Sequence, residues 1–380
     1  MAWLVYWLTA VCFHHVSTPP DAYFNHLAGS FLAHRLDLID PPATWDLSNF
    51  HGRWYVPFPP LPAIVMMPLV AFAGVDAINT TLFCTIAGAT AVAFVFLLLD
   101  GLSQRRWTTL SQAENLWLTA LFAFGTVNWW MSTTGSVWYV DQVTTCTFIA
   151  LATMLAVRGA PPVATGASLG LAICGRPPVI GIAFLIIVIH GMVDEKFRVS
   201  WPAPVAFAAP VLVAITALAL YNQRRFGTPT DFGYLYAANL SGDGQMYGQL
   251  NLHFLKRNLW FMFLAGPEWN AARGIWAPSR TGMSVFLTTP AFLLIFAARR
   301  PTRLAVGAWL AAALGLIPAL LYYTTGAHQF GSRFTLDITI PVLVLVALSV
   351  RDGLSRVAKA AILLSIAANA LGAAWWHWPR

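Results

Sequence analysis

Four aspartates lie near the start of the chain, in the stretch from Thr18 to Arg53 that follows one apolar segment. A carboxylate held at a membrane surface could act as a general base, whereas one at the first turn of a helix often only caps backbone N–H groups. Both hypotheses apply to Asp21, and they are compatible. Asp40 and Asp46 are more simply interpreted as solvated loop residues with ion pairs, and Asp37 is a weaker candidate for substrate binding.

A cation and two aromatic residues follow in the sequence His51-Gly-Arg-Trp-Tyr55. Arg53 and Tyr55 could bind an anion and stack on a sugar, although Trp and Tyr are expected near any bilayer surface. Asp141 lies about one turn inside an apolar helix. An acidic residue there is a functional candidate because its burial costs about 3 kcal/mol or more at the bilayer centre, and pairing with an arginine is the structural alternative.

Two glycine-containing turns carry further candidates for anion binding. Arg176 lies in a Gly-Arg-Pro-Pro turn, where its guanidinium could hold a phosphate or extend to lipid headgroups. The second turn, from Gly326 to Asp337, contains His328 and, five residues later, Arg333. Together these two side chains favour an anion site more than His328 does alone.

The elements that must position these residues are helices that cross a membrane. The chain has 380 residues, of which 58% are hydrophobic and 10% charged, and its apolar runs are long enough for spans of about 20 residues. We predict an all-α, polytopic transmembrane protein with about 11 spanning helices in one integral membrane domain over residues 1–380. The apolar runs are Ala2–Val16, Ala77–Leu99, Asn115–Met131, Val137–Val157, Val163–Cys174, Val179–Met192, Val205–Tyr221, Met283–Ala298, Leu304–Tyr323, Ile338–Val350 and Val357–Trp376.

The charges of the loops predict the orientation. If the proline-containing segment Leu61–Gly74 lies at the membrane surface instead of spanning, every basic short loop falls on one side, which the positive-inside rule assigns to the cytoplasm. The N-terminus is then cytoplasmic, and residues 17–76 and 222–282 form the two long extracytoplasmic loops. Within the first loop, Phe24 to Arg35 has the spacing of an amphipathic helix lying on the membrane. All the candidate residues except the helical Asp141 then lie in extracytoplasmic segments, and Asp141 lies near that face.

Several kinds of function are disfavoured. The net charge of +7 comes from basic residues sorted into loops, so nucleic acid is not an expected partner. The sequence lacks nucleotide-binding fingerprints and the HExxH motif. Its four cysteines lie in apolar segments without CxxC spacing and are interpreted as core residues. Soluble nucleotide donors would lie on the other side of the membrane, so any donor used at the extracytoplasmic face should be carried by a lipid.

Several motifs occur along the chain at characteristic positions. Asp21, Tyr23 and Ala28, in the pattern D-x-Y-x4-A soon after the first helix, are followed by Gly-Arg-x-Tyr at residues 52–55 and the proline-rich FPPLP at residues 58–62. Later motifs are Tyr221-Asn222-x3-Phe226-Gly227-x-Pro229-x3-Gly233-Tyr234 and Gln329-Phe-Gly-x-Arg333-Phe. Together these motifs resemble those of the GT-C class of polytopic glycosyltransferases, particularly protein O-mannosyltransferases and lipid A aminoarabinose transferases.

The resemblance implies an enzyme of the bacterial plasma membrane with an extracytoplasmic active site. It implies a polyprenyl-phosphate sugar donor, an inverting transfer and no cofactor, with Asp21 as the base and Asp141 as an approximate match to a second acidic residue. Because Asp21 is followed by Ala22 and Tyr23 and not by another acid, we expect no metal. The acceptor would be a lipid, glycan or protein, and membrane lipids surround the chain.

Two alternatives stay open from the sequence. In a transporter or lipid-carrier flippase, Asp141 and Arg176 would line a path and not a reaction centre. Matching helix breaks in two inverted halves would favour that hypothesis, but the sequence shows only the break at Arg176. The second alternative is a noncatalytic membrane subunit of a glycan-assembly complex.

Overall fold

The computed structural model describes residues 1–13, 16–192, 201–271, 274–297, 302–326 and 329–377. Its helices are α1 (Ala2–Cys12), α2 (Phe24–Leu32), α3 (Leu61–Ala73), α4 (Thr80–Gln104), α5 (Gln112–Phe124), α6 (Asn128–Met131), α7 (Val137–Val157), α8 (Pro162–Ile173), α9 (Ile182–Ile189), α10 (Ala203–Phe226), α11 (Gly242–Tyr247), α12 (Leu255–Leu259), α13 (Val285–Thr288), α14 (Arg303–Leu321), α15 (Leu336–Ser349) and α16 (Arg356–His377). Short strands form the pairs β1 (Ser48–Phe50) with β2 (Arg53–Tyr55), β3 (Glu268–Asn270) with β4 (Ile275–Ala277), and β5 (Thr281–Met283) with β6 (Gln329–Gly331). The first two pairs are antiparallel and the third is parallel.

Five of the described helices are long and apolar enough to cross a bilayer, namely α4, α7, α10, α14 and α16. Four shorter apolar helical segments are α1, α3, α8 and the stretch Pro177–Ile189. The predicted all-helical membrane architecture is therefore confirmed in kind, whereas the total of about eleven spans stays a prediction. The 13 residues of α3 rise about 20 Å, less than a hydrocarbon core of about 30 Å.

Helix α7 lies at the centre of the protein. It packs against α4, α8 and α15, and most of its side chains are buried. Its observed bounds are those predicted from the apolar run. One hydrophobic core joins residues from Tyr6 to Ala373, so the spans pack as one body around α7.

The prediction of a continuous helix over Met283–Ala298 is wrong. The described residues of that range form the end of β5, the four-residue helix α13 and a 3₁₀ helix at Pro290–Ala297. The Ser284 hydroxyl accepts from the Phe286 N–H at 3.2 Å, which starts a new helix after the strand. Pro290 has no N–H and disfavours helical backbone at Thr289, which ends α13 there.

The predicted helix Asn115–Met131 is likewise divided, into α5 and α6. Gly125 ends α5, and the Thr126 hydroxyl then accepts a local hydrogen bond from the Asn128 N–H at 3.3 Å. Helix α2 occurs where its apolar spacing predicts, and it packs against α3. Its polar Asn25 and Ser30 are also buried, and Asn25 donates to the Val75 carbonyl at 3.3 Å, so α2 is covered on more than one side.

The connecting segments divide between two ends of the bundle. At one end Arg158 pairs with Asp100 at 2.6 Å, and Arg105 donates to the Ile189 carbonyl at 3.3 Å. The hairpins and the long loops meet at the other end. The structure therefore groups the segments as their charges predict, and which end faces the cytoplasm stays a prediction.

Candidate functional site

A cavity of about 730 Å³ lies among the long loops and the start of α7. Each segment predicted to share a face contributes to it except the turn at Arg176. Its polar and charged lining includes Asp21, Asp46, Ser136, Asn239, Ser241, Asp243, Arg257, Thr281, Thr324, Thr325 and Arg333. Aromatic side chains complete the wall, among them Trp45, Phe58, Trp138, Tyr139, Tyr234, Tyr322 and Tyr323.

Asp21 lies in a turn before α2 and opens on this cavity. Its backbone carbonyl accepts from the Val137 N–H at 3.1 Å, which ties the turn to the start of α7. The capping hypothesis is wrong, because the N-cap of α2 is Tyr23 and no side chain caps that helix. The Oδ1 atom of Asp21 is buried without a hydrogen-bond partner.

The surroundings of Asp21 favour a proton acceptor. Burial raises the pKa of its carboxyl above the usual value, and a hydrogen bond with Ser136 partly offsets this rise. The negative charge of Asp46 raises the same pKa further. A carboxylate that lines a cavity and has a raised pKa has the properties of a general base.

Asp46 was interpreted from the sequence as a solvated loop residue, but it lines the same cavity as Asp21. Its Oδ2 accepts from the Trp138 indole N–H at 2.6 Å, and its backbone N–H donates to the Asn239 Oδ1 at 3.1 Å. Asp46 therefore joins the first loop to α7 and to the second long loop. Its position depends on residues 92 and 193 positions away, so no local pattern could have shown it.

A second cavity of about 480 Å³ adjoins the first, and its lining is mostly apolar. Gly175, Arg176 and two prolines form one side, and Gly315, Pro318 and Ala319 of α14 form another. The two cavities share five lining residues, Phe58, Trp138, Tyr234, Tyr322 and Arg333. A polar cavity and an apolar cavity are thus separated by an aromatic wall that contains one arginine.

Arg333 is held in this shared wall mainly by its backbone. Its N–H donates to the Gln329 Oε1 at 2.8 Å, its carbonyl accepts from the Gln142 Nε2 at 3.1 Å, and its Nη1 lies 3.4 Å from the Gln142 Oε1. The guanidinium carbon is 6.0, 5.9 and 5.1 Å from the ring centres of Trp138, Tyr139 and Phe334. Its Nε has no hydrogen-bond partner, and no carboxylate of the described residues lies within 4.0 Å.

Arg176 has the opposite surroundings. Its Nε lies 2.7 Å from the Asp337 Oδ2, and its Nη1 lies 3.5 Å from the Asp141 Oδ2. One hypothesis from the sequence was that this side chain extends to lipid headgroups. The structure instead shows it paired with two carboxylates. Asp141 is buried and lines neither cavity, so the arginine pairing that was its structural alternative is what the structure shows.

The other predicted residues lie away from both cavities. Arg53 is exposed on β2, and Tyr55 is buried with its ring edge-on to Phe226 at 5.4 Å. Asp37 pairs with Arg35 at 2.5 Å. His328 lies outside the described residues.

Two charged residues of the second long loop also went unnoticed in the sequence. Arg257 and Asp243 line the first cavity and pair at 3.2 Å, and Arg257 also donates to the Tyr323 carbonyl at 2.6 Å. Within the described ranges, no group of three His, Cys, Asp or Glu side chains is placed to hold a metal ion. The first cavity is lined by three aspartates and two arginines, and Arg257 is paired with Asp243.

No protein-family model matches this chain, and no curated protein matches it in sequence. The fold, in contrast, has known counterparts. ArnT from Cupriavidus metallidurans, solved bound to undecaprenyl phosphate, has a TM-score of 0.51 at 12% identity, covering 91% of this chain and 58% of its own. The archaeal oligosaccharyltransferase AglB from Archaeoglobus fulgidus, in complex with an inhibitory peptide and a dolichol-phosphate, has a TM-score of 0.46 at 12% identity, covering 98% of this chain and 55% of its own.

At this identity the likeness to ArnT shows a shared fold, and the AglB match carries no argument here. The present chain spans 58% of the length of ArnT. The likeness therefore shows a polytopic membrane fold shared with ArnT, and the GT-C class implied by the sequence motifs stays a prediction. The branch within that class stays a prediction.

Proposed function

We propose that this chain is a glycosyltransferase of the bacterial plasma membrane that transfers a sugar from a polyprenyl-phosphate donor to an extracytoplasmic acceptor hydroxyl. The observation that carries the proposal is the pair of adjoining cavities with Arg333 in their shared wall. One cavity offers a base and polar groups, and the other offers an apolar surface. A lipid-linked sugar has the same two parts, joined by a phosphate.

The donor would lie across the shared wall. Its prenyl chain suits the apolar second cavity, where burial of apolar surface favours binding by about 25 cal/mol per Å². Its phosphate would then meet Arg333, whose charge no carboxylate of the described residues compensates. The same fold in ArnT, solved with undecaprenyl phosphate, supports a carrier of this kind.

The sugar would extend into the first cavity toward Asp21. Trp138, Tyr234 and Tyr322 line both cavities and offer ring faces and edges against which a sugar can pack. Asp21 removes the proton of the acceptor hydroxyl, whose oxygen then attacks the anomeric carbon. As that C–O bond forms, the bond from the anomeric carbon to the phosphate oxygen breaks, and its electron pair leaves with the phosphate. Attack opposite the leaving group inverts the anomeric configuration.

The rate contributions have known sizes. A positioned general base accelerates such a step by about 10²- to 10⁴-fold. Arg333 stabilises the negative charge that builds on the leaving phosphate, and one such donor in a preorganised site contributes about 10²- to 10³-fold. Arg176 lines the second cavity, but two carboxylates compensate its charge. Its main role is therefore to hold the wall in which Arg333 lies.

Replacing Asp21 with Asn tests the assignment of the base. Asn has the same shape and cannot accept the proton, so we expect sugar transfer to fall by about 10²- to 10⁴-fold. The measurement is transfer from radiolabelled polyprenyl-phosphate sugar to an acceptor extract by purified protein in bilayers.

The matched control is Asp37→Asn, in the same loop but outside both cavities, which should keep transfer within a few-fold of the parent. Near-normal transfer by Asp21→Asn at unchanged folding would exclude this role. Movement of the labelled lipid across the bilayer with no new glycosidic bond would instead support the flippase alternative.

A further inference from the structure

The second long loop contains a helical segment with two distinct faces, here called the interface segment. It consists of a 3₁₀ turn at Leu252–Phe254, helix α12 and a π-helical turn at Trp260–Leu264. Phe254, Asn258 and Met262 recur every four residues and are buried, so they form the inner face. The segment therefore has the periodicity of a helix packed on one side only.

The outer face of the interface segment is mostly apolar. Leu259, Trp260 and Leu264 are 38%, 55% and 66% exposed, and the exposed charge among them is Lys256. A helix whose outer face met water would be expected to carry polar residues there. Large apolar side chains beside a lysine are instead typical of a helix that lies in a membrane surface.

Hydrogen bonds fix the depth of the interface segment relative to a spanning helix. The Asn258 Nδ2 donates to the carbonyls of Ala319, Leu320 and Tyr322 at 3.3, 3.0 and 2.7 Å. These carbonyls belong to the C-terminal end of α14, where a helix leaves its last acceptors unsatisfied. The Asn251 N–H adds a bond to the Leu321 carbonyl at 2.9 Å. The interface segment thus lies at the level where α14 ends.

The lipid-facing surface of α14 continues almost to that level. Leu310, Leu314 and Ile317 are exposed apolar residues on a helix long and apolar enough to span the bilayer. Ile317 lies four residues, about 6 Å, before the end of the helix at Leu321. The exposed apolar surface of α14 therefore reaches to about one turn from the interface segment.

A hairpin follows the interface segment and exposes two further indoles. Trp269 of β3 and Trp276 of β4 are cross-strand partners, with ring centres 5.7 Å apart. Both side chains are exposed. Tryptophan is enriched at the boundary between headgroups and hydrocarbon, where an apolar ring and a polar N–H are both accommodated.

We propose that the interface segment lies within the headgroup layer of the bilayer, with Leu259, Trp260 and Leu264 in contact with lipid. Lys256 would pair with lipid phosphate, and the two hairpin indoles would extend the contact. The partner is a lipid surface and not a second protein. Because Arg257 and Phe261 of this segment also line the first cavity, one wall of that cavity would be fixed at the membrane surface.

The test measures depth directly and needs no donor or transfer activity. A nitroxide label is placed at Leu264→Cys in a Cys12→Ser background, since the other three cysteines are buried. The protein is reconstituted in bilayers of phosphatidylcholine and phosphatidylglycerol. Collisions of the label with oxygen and with a water-soluble nickel chelate are then compared. Asp352→Cys, in an exposed polar turn, gives the aqueous standard, and Leu310→Cys, in the middle of α14, gives the hydrocarbon standard.

We expect the label at position 264 to collide with the nickel chelate several-fold less than the label at 352, with an oxygen-to-chelate ratio between the two standards. Trp260→Cys provides a second variant with the same expectation, should either substitution disturb folding. Chelate accessibility equal to that at 352 for both labels would overturn the proposal. Protection from oxygen and chelate alike would also overturn it, because it would indicate a protein partner on this face.

Discussion

Arg176 and Arg333 line the same apolar cavity and differ in how their charges are compensated. Arg176 lies within ion-pair distance of Asp337 and Asp141. Arg333 lies among aromatic rings, with a glutamine amide as its nearest polar side-chain partner. The first cation is therefore neutralised within the fold, whereas no carboxylate of the described residues neutralises the second.

Under the proposed function, this difference assigns a structural role to Arg176 and a catalytic role to Arg333. Burying an ion pair costs desolvation free energy, and removing one partner leaves an uncompensated charge inside the protein. A cation beside aromatic rings is stabilised more weakly, by about 0.5–2 kcal/mol. Loss of Arg176 should then affect folding most, and loss of Arg333 should affect catalysis most.

The largest expected effect follows from Arg176→Met. This change leaves Asp141 and Asp337 buried without their cation, so we expect the free energy of unfolding to fall by about 3–5 kcal/mol. The measurement is the thermal midpoint in detergent, followed by size-exclusion chromatography. Adding Asp337→Asn should recover part of the loss because it removes one uncompensated charge. An unchanged midpoint for Arg176→Met would contradict the structural role.

The next effect concerns Arg333→Met at the other arginine. We expect transfer to fall by about 10²- to 10³-fold, since the leaving phosphate loses its main source of positive charge. The unfolding free energy should change by only about 1 kcal/mol, the net value of a typical hydrogen bond. Transfer and the thermal midpoint are measured on the same preparation. A variant that unfolds like Arg176→Met would remove the distinction between the two arginines.

A smaller effect is expected from Gln142→Leu, which keeps Arg333 but removes its two contacts with the Gln142 amide. The guanidinium would then be less well placed, and we expect kcat to fall about 10-fold, less than the 10²-fold that a displacement of 1 Å can cost. The control is Thr153→Val. Thr153 is buried in α7, and its hydroxyl donates to the Ile149 carbonyl of the same helix. Equal losses in both variants would indicate general damage to α7 and not loss of positioning.

The smallest effect concerns the pH dependence of Asp21. As the base it must be ionised, so transfer is lost as the pH falls through its pKa, which burial places above that of an ordinary aspartate. Asp46→Asn removes a nearby negative charge that raises this pKa, so the acidic limb of the pH–rate profile should move to lower pH. Asp40→Asn should leave the limb in place. A shift to higher pH in Asp46→Asn would contradict the proposed electrostatics.

Much of the architecture could be predicted from the sequence, because the lengths of apolar runs indicate spanning helices and the positions of basic residues indicate which loops share a side. The bounds of α7 were correct, and the segments predicted to share one face line the first cavity, except the turn at Arg176. Breaks in the apolar runs were missed where single hydrogen bonds decide them, as at Ser284 and Thr126. Hydropathy does not register such local bonds.

The candidate site was predicted less completely. Asp21, Arg176 and Arg333 were chosen from their positions, and all three line a cavity. The roles of Asp46 and Gln142 depend on partners far away in the chain, which the sequence does not reveal without the fold. Asp141 was favoured as a substrate-orienting residue because buried acids are rare in spans, with pairing to an arginine as the alternative. The structure shows that pairing, with Arg176.

The shared wall has a consequence for biosynthesis. Asp21 and Arg333 are far apart in the sequence, yet both line the first cavity. During synthesis the chain emerges in order, so Asp21, the proposed base, is made long before Arg333, the proposed phosphate-binding cation. Contacts between such distant residues form late because long loops must close first. A partly synthesised chain would therefore have no complete first cavity.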